Sequence, residues 1–272
     1  MFKFLKKEIP LRMSWEVKAH GKATIIIGAS HLFPHDFSAN LRRLISKARK
    51  VILEGPVDNE SLNTVVEKGK NGKGSITFGE LLGPQLMEEI FSGFFLKSFC
   101  KRIKIITEEG LVKDLKERVQ GMSPWLGFFT FWYNYLHLRG WNYSLDREVM
   151  EEAKRQLKPV SCLEEINEQI EALRAIPNDR ILRFLKEAER WDDYMEKCRK
   201  FYLAGDLENL MLLAQRFPTF CDSVIFRRDP ILFERMLPYL EEGDGVIVVG
   251  ITHMKGILDL TKESGLECIQ LK

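Results

Sequence analysis

Thr24-Ile25-Ile26-Ile27-Gly28-Ala29-Ser30-His31 decides the fold of this chain. A short β-branched run closed by glycine reads as a strand buried on both faces, and the loops at the carboxyl ends of such strands hold ligands in open α/β sheets. The pattern returns near the other end, where Val246-Ile247-Val248-Val249 runs into Gly250-Ile251-Thr252-His253. Both imidazoles are therefore expected at one rim. A third strand, Lys50-Val51-Ile52-Leu53, ends in Glu54-Gly55-Pro56 and brings a carboxylate to the same level. Two histidines and a glutamate on adjacent strand ends can form a metal site or an acid–base cluster.

The residues between these strands fill out an α/β domain. Leu11 to Lys18 alternates apolar and polar, and His20-Gly21-Lys22 makes a tight turn into the first buried strand, which predicts an edge hairpin. Ser38 is a candidate cap for a helix with Leu41, Leu44, Ile45 and Ala48 at helical spacing, so the strands around it form a right-handed βαβ unit. The glycine- and lysine-rich run Lys68 to Gly74 lacks the spacing of a phosphate loop and reads as a solvated turn. A helix over Gly83 to Lys97 and a strand over Ile103 to Ile106 follow, and residues from about 114 to 230 are mostly helical in period. Within that range, Lys158 to Leu163 reads as a short strand ending in Glu164, and Glu267 to Leu271 closes the chain as a last strand.

Composition narrows the function classes. The chain has 272 residues, 45% of them apolar, which is ample for one core. Its 41 basic and 39 acidic residues are well mixed, so no footprint for nucleic acid stands out. Five cysteines, odd in number and never in CxxC spacing, are expected to be reduced thiols of a cytoplasmic protein. The amino terminus lacks the apolar core of a secretion signal. The aromatic stretch Pro124 to Leu138 is too short to span a bilayer and reads as a core helix, with a cleft lining as the alternative.

Several side chains carry more than one reading. Glu54 can serve the site or pair with Arg42 or Arg43, since a buried carboxylate needs a partner. Arg228 can form a surface ion pair, or bind an oxyanion or a substrate carboxylate at the rim. His35 lies four residues after His31, but Pro34 argues against the helix that this spacing needs. The glycines of the two GxxH motifs are expected to let the chain turn sharply and present the histidine.

Taken in order, these motifs resemble the TraB/PrgY/GumN/TIKI family, which is related to the erythromycin esterase and ChaN-like proteins. The resemblance spans residues 24 to 270. It rests on the two GxxH motifs, Glu54, Pro124-Trp125, Leu145-Asp146 to Ala153, Leu163-Glu164 to Glu168-Gln169, and Arg228-Asp229. The family usually has asparagine where this chain has Asp229, and the transmembrane helices and secretion signals of some members find no counterpart here.

The resemblance implies an α/β domain over residues 1–272. It would have a central mixed, mainly parallel sheet flanked by helices and a mostly helical insert at about 114–230 acting as a lid. The TIKI branch implies a metal-dependent peptidase using Mn, Co or Zn, with His31, His253 and Glu54 as ligands or Glu54 as base, and Arg228 on the tetrahedral oxyanion. Asp146, Glu164, Gln169 and Trp125 would then contact a peptide or protein substrate. The TraB and PrgY branch implies instead a regulator that sequesters a peptide, the ChaN-like relatives a haem or iron binder, and the erythromycin esterases a metal-free hydrolase with histidine as base. Neither nucleic acid nor a membrane span is expected, and the oligomeric state stays open, a homodimer included.

Overall fold

The computed structural model describes residues 8–70, 75–91 and 108–271. Six strands make one mixed sheet: β1 (Ser14–Ala19), β2 (Lys22–Ala29), β3 (Lys50–Leu53), β4 (Val160–Cys162), β5 (Gly245–Gly250) and β6 (Glu267–Gln270), in the order β4-β3-β5-β2-β1-β6. β4, β3, β5 and β2 are parallel, so their carboxyl ends share one rim, while β1 runs antiparallel to both β2 and β6. The β-branched runs explain the centre. Val246, Ile247, Val248 and Val249 are at most 1% exposed, and Ile26 and Ile27 are fully buried, because helices cover both faces.

The hairpin joining β1 and β2 turns on His20 and Gly21, with φ of 50° and 79°. Two positive φ values in a two-residue loop match the right-handed twist of the strands. The hairpin is not at the edge, however: β6 pairs outside β1, so the last strand, largely exposed, is the true border. Ser38 is the first helical residue of Ser38–Lys47 and not its cap. The Asp36 carboxylate accepts from the Ser38 N–H at 2.7 Å and satisfies that helix end.

The helical stretch from about 114 to 230 is not one block, since β4 arises inside it and extends the sheet beside β3. Its aromatic helix Pro124–Leu138 buries Phe128, Phe131, Trp132 and Tyr135 in the same apolar core as the sheet residues Ile26 and Val248. The core reading of that stretch therefore holds. No helix among the described residues is long and apolar enough to cross a membrane. The strand expected over Ile103–Ile106, the end of the helix expected to Lys97, Cys100, and Asn71 to Gly74 of the glycine-rich run lie outside the described residues. Cys162, Cys198, Cys221 and Cys268 are free thiols.

Candidate functional site

Strand order lines up the chemistry. Glu164 follows β4, Glu54 follows β3, His253 lies three residues beyond β5 and His31 two beyond β2, so the four occupy successive positions along one rim of strands about 4.8 Å apart. Glu164 thus joins the three groups expected there, placed by a strand whose register matches Leu53 with Cys162.

Arg228, at the start of the helix Arg228–Glu242, reaches back into this row and ties it together. Its Nη2 donates to Glu54 Oε1 at 2.6 Å and also to Glu164 Oε1, its Nε donates to Glu164 Oε2 at 3.1 Å, and its Nη1 donates to the Val224 carbonyl at 3.1 Å. Nη1 also lies 3.3 Å from His253 Nε2. Four of the guanidinium's five N–H donors are engaged by these acceptors, and the fifth, on Nη1, faces the His253 ring. Arg228 thus clamps two buried carboxylates together. Both Glu54 oxygens are engaged, because Oε2 accepts from the Gly250 N–H at 2.6 Å.

Electrostatics follow from that packing. Burial pushes the Glu54 carboxyl up, but the charges of His253 and Arg228 and the Gly250 N–H outweigh it and bring its pKa down to about 2. Glu164 goes the other way: burial raises it above the ordinary range against the pull of Arg228, and Glu54 adds repulsion. Burial opposes the charge of Arg228, yet the two carboxylates hold its pKa above the usual value.

The two histidines are each tied to an aspartate. His253, only 2% exposed, has Nδ1 2.6 Å from Asp229 Oδ1, and its Nε2 lies 3.6 Å from Glu54 Oε1. Burial raises the Asp229 carboxyl, with His253 drawing it down. His31 has Nδ1 2.8 Å from Asp146 Oδ2, while 63% of its side chain is exposed. Attraction to Asp146 raises the His31 pKa to about 9 against the effect of burial, and Glu54 contributes further. Asp146 reaches His31 because the loops carrying them are stitched together. Phe33 and Tyr143 exchange N–H···O bonds of 2.8 and 3.1 Å, and the Leu145 N–H donates to the Ser30 carbonyl at 3.3 Å. Tyr202 fixes the strand end from below, its hydroxyl donating to the Gly28 carbonyl at 2.7 Å.

The GxxH glycines act through space and not through backbone freedom. Gly250 has φ of −53°, open to any residue, and Gly28 is not among the positive-φ glycines. A Cβ on Gly28 would stand 2.4 Å from Ile251 Cδ1 and 2.8 Å from Met254 Cγ, so the first motif's glycine lets the second motif pack against it.

Other expected residues fall as follows. Gln169 sits against Gly55, where a Cβ would come within 2.3 Å of its amide, and it draws the Glu164 carboxyl down against burial. Trp125 does not join the cluster. It is buried with Leu126 and Ile170 in a separate small apolar group. His35 packs its ring 5.8 Å from Phe33 with Nε2 buried, and takes no part in the row. Arg42 and Arg43 face Glu152 and Glu8, not Glu54. Asp229 and Tyr202 are the contributors that sequence reasoning did not assign. In the sequence Asp229 stands out only as a departure from the family's asparagine, and nothing around Tyr202 signals its bond to Gly28.

The donor set resembles a divalent-ion site in one respect only. Each histidine has Nδ1 held by a carboxylate and Nε2 turned away from it, the orientation of metal-bound imidazoles. Against this, the Arg228 guanidinium lies 3.3 Å from His253 Nε2, and both Glu54 oxygens already accept hydrogen bonds. An ion between His253 and Glu54 would stand beside a fixed positive charge, so these residues as arranged do not fit one. Among the described residues, no three His, Cys, Asp or Glu side chains gather as a metal-holding group.

A search of curated protein sequences found no match for the chain. The model of the TraB/PrgY/gumN family matches residues 13–269, a span that contains β1 to β5, all of β6 but its last residue, and every member of the Arg228 cluster. The chain belongs to the TraB/PrgY/gumN family.

Proposed function

We propose that this protein is a metal-independent hydrolase of acyl bonds, with His31 as its proton-transfer residue. The observation that carries the reading is the His31–Asp146 pair: one ring nitrogen is bound to a carboxylate at 2.8 Å while most of the ring faces solvent. An imidazole so held keeps its proton on Nδ1 and offers the Nε2 lone pair outward, the arrangement of a histidine base with its orienting carboxylate. Nε2 takes a proton from water as the water oxygen bonds to the carbonyl carbon. The tetrahedral adduct then collapses, and Nε2–H returns the proton to the departing nitrogen or oxygen. Asp146 stabilises the imidazolium between the two steps.

In this reading Arg228, Glu54, Glu164, His253 and Asp229 are the rigid floor that fixes the strand ends. The resemblance to the TIKI branch favours a peptide substrate. Quenched fluorescent peptides and short-chain nitrophenyl esters, assayed at pH 9 with and without chelator, test the proposal. His31→Ala is expected to lower chelator-insensitive turnover by about 10² to 10⁴. Unchanged turnover in that variant refutes the reading. Hydrolysis abolished by chelator, with one Mn, Co or Zn per chain that His31→Ala/His253→Ala loses, would return the metallopeptidase to first place. Peptide binding without cleavage that survives the double substitution would favour a sequestering regulator.

A further inference from the structure

Two concavities lie away from the His31 row, on the helices Asn178–Lys186, Trp191–Ala204 and Leu207–Ala214. Their volumes are about 320 and 350 Å³, and they share Phe184, Glu187, Leu212 and Arg216, so they form one continuous groove. Five cationic side chains line it, Arg180, Arg183, Arg190, Lys197 and Arg216, against two carboxylates, Glu187 and Asp193. For a chain whose whole net charge is +2, this is a local concentration that even mixing along the sequence conceals.

The cations are not equivalent. Arg180 is fixed by donating to the carbonyls of Gln215, Phe217 and Pro218 at 2.8 to 3.2 Å. Arg183 and Lys197 each face an aspartate one helical turn away, Asp179 and Asp193. Arg190 and Arg216 are exposed, and no carboxylate pairs with either among the described residues. Between them Leu212 is 63% exposed, an apolar side chain set in a basic groove. Of the aromatic rings in its lining, Phe184 and Trp191 are 3% and 1% exposed, while Tyr194 and Phe201 are half-buried.

We propose that this groove binds an acidic stretch of polypeptide, its carboxylates paired with Arg190 and Arg216 and an apolar side chain seated on Leu212. Guanidinium groups match carboxylates in bidentate geometry, and both arginines are free to turn toward a ligand. The proposal is independent of whether the His31 site hydrolyses anything.

Fluorescence anisotropy of the full chain with a fluorescein-labelled glutamate–leucine peptide, beside its lysine–leucine counterpart, tests it. The acidic peptide is expected to bind, to weaken as salt is raised, and to lose about tenfold or more of its affinity in Arg190→Glu/Arg216→Glu. Lys47→Glu/Arg49→Glu, the same charge reversal at the amino-terminal side of β3, is expected to leave binding intact. Arg190→Gln/Arg216→Gln serves if the reversal variant does not fold. Equal binding of both peptides, or an unchanged affinity in the arginine variants, overturns the proposal. Tighter binding of a single-stranded oligonucleotide than of the acidic peptide at equal salt overturns it in favour of nucleic acid.

Discussion

Replacing Arg228 with glutamine should destabilise the protein by about 3 to 4 kcal/mol at pH 7.5, and by much less near pH 4.5. The side chains of Glu54 and Glu164 are only 12% and 4% exposed, and both depend on this guanidinium. Glu54 is held at about 2 against an ordinary 4.5. At about 1.4 kcal/mol for each tenfold change in proton affinity, its whole set of partners contributes about 3 kcal/mol to folding. Breaking a buried pair by removing one partner costs a similar amount, about 3 to 5 kcal/mol. The sign with pH follows. In the natural protein the depressed Glu54 contributes stability that is present above 4.5 and is lost as pH falls toward 2. In Arg228→Gln the two carboxylates lose the cation they share, both folded pKa values rise, that of Glu164 further above 4.5, and the stability they contribute falls as pH rises. The gap between the two proteins therefore widens from pH 4.5 to 7.5. Urea denaturation followed by tryptophan fluorescence at both pH values measures it. Arg228→Met/Glu54→Gln/Glu164→Gln removes all three charges and should recover most of the loss. A cost below about 1 kcal/mol at pH 7.5, or one equal at both pH values, would refute the clamp.

The remaining expectations concern the two histidines and the core. NMR titration should find the His31 ring changing charge at about 9, and Asp146→Asn should bring that midpoint down toward 6.5. Because the base must be neutral, kcat/KM should rise with pH up to about 9 in the natural protein, and the rise should move to lower pH in Asp146→Asn with a reduced plateau; a profile that instead falls through this range removes His31 as base. Gly256→Ala should cost about 1 to 3 kcal/mol and shift the His253 Nδ1–H resonance, since the new Cβ would stand 2.0 Å from Asp229 Oδ2. Trp125→Ala should cost about 3 to 5 kcal/mol by emptying its apolar group, with turnover of the folded protein unchanged; a lost turnover would put Trp125 back among the substrate contacts.

The sheet was legible because its central strands carry their burial in their composition. Ile25 to Ile27 and Val246 to Val249 could be placed, and their glycine-histidine ends put at one rim, from period and β-branching alone. β6 was legible as a strand but not as the border, since Glu267 to Gln270 offers too few apolar residues to show which neighbour it pairs with. Among the site residues, those on strand ends were the readable ones, because topology fixes a strand end to within a residue or two. Arg228 and Asp229 come from a helix start whose approach to the rim depends on the packing of the whole helix against the sheet, a long-range matter that no local pattern encodes. The role of an arginine also depends on how many of its donors are engaged. Sequence could name the guanidinium, and only the arrangement of Glu54, Glu164 and Val224 around it shows which groups accept from it.

That arrangement also explains why one histidine is buried and the other exposed, although the two motifs read alike. Gly250 and His253 close over Glu54 from the neighbouring strand β5, so the second motif serves the clamp: its backbone N–H and its imidazole both face the Glu54 carboxylate. The first motif lies one strand further from Arg228, and its histidine finds its carboxylate on the helix Leu145–Arg155 instead. The same glycine-to-histidine pattern thus holds the site together on β5 and presents an exposed histidine on β2. A reacting group has to combine an oriented nitrogen with access to substrate, and of the two imidazoles His31 alone has both.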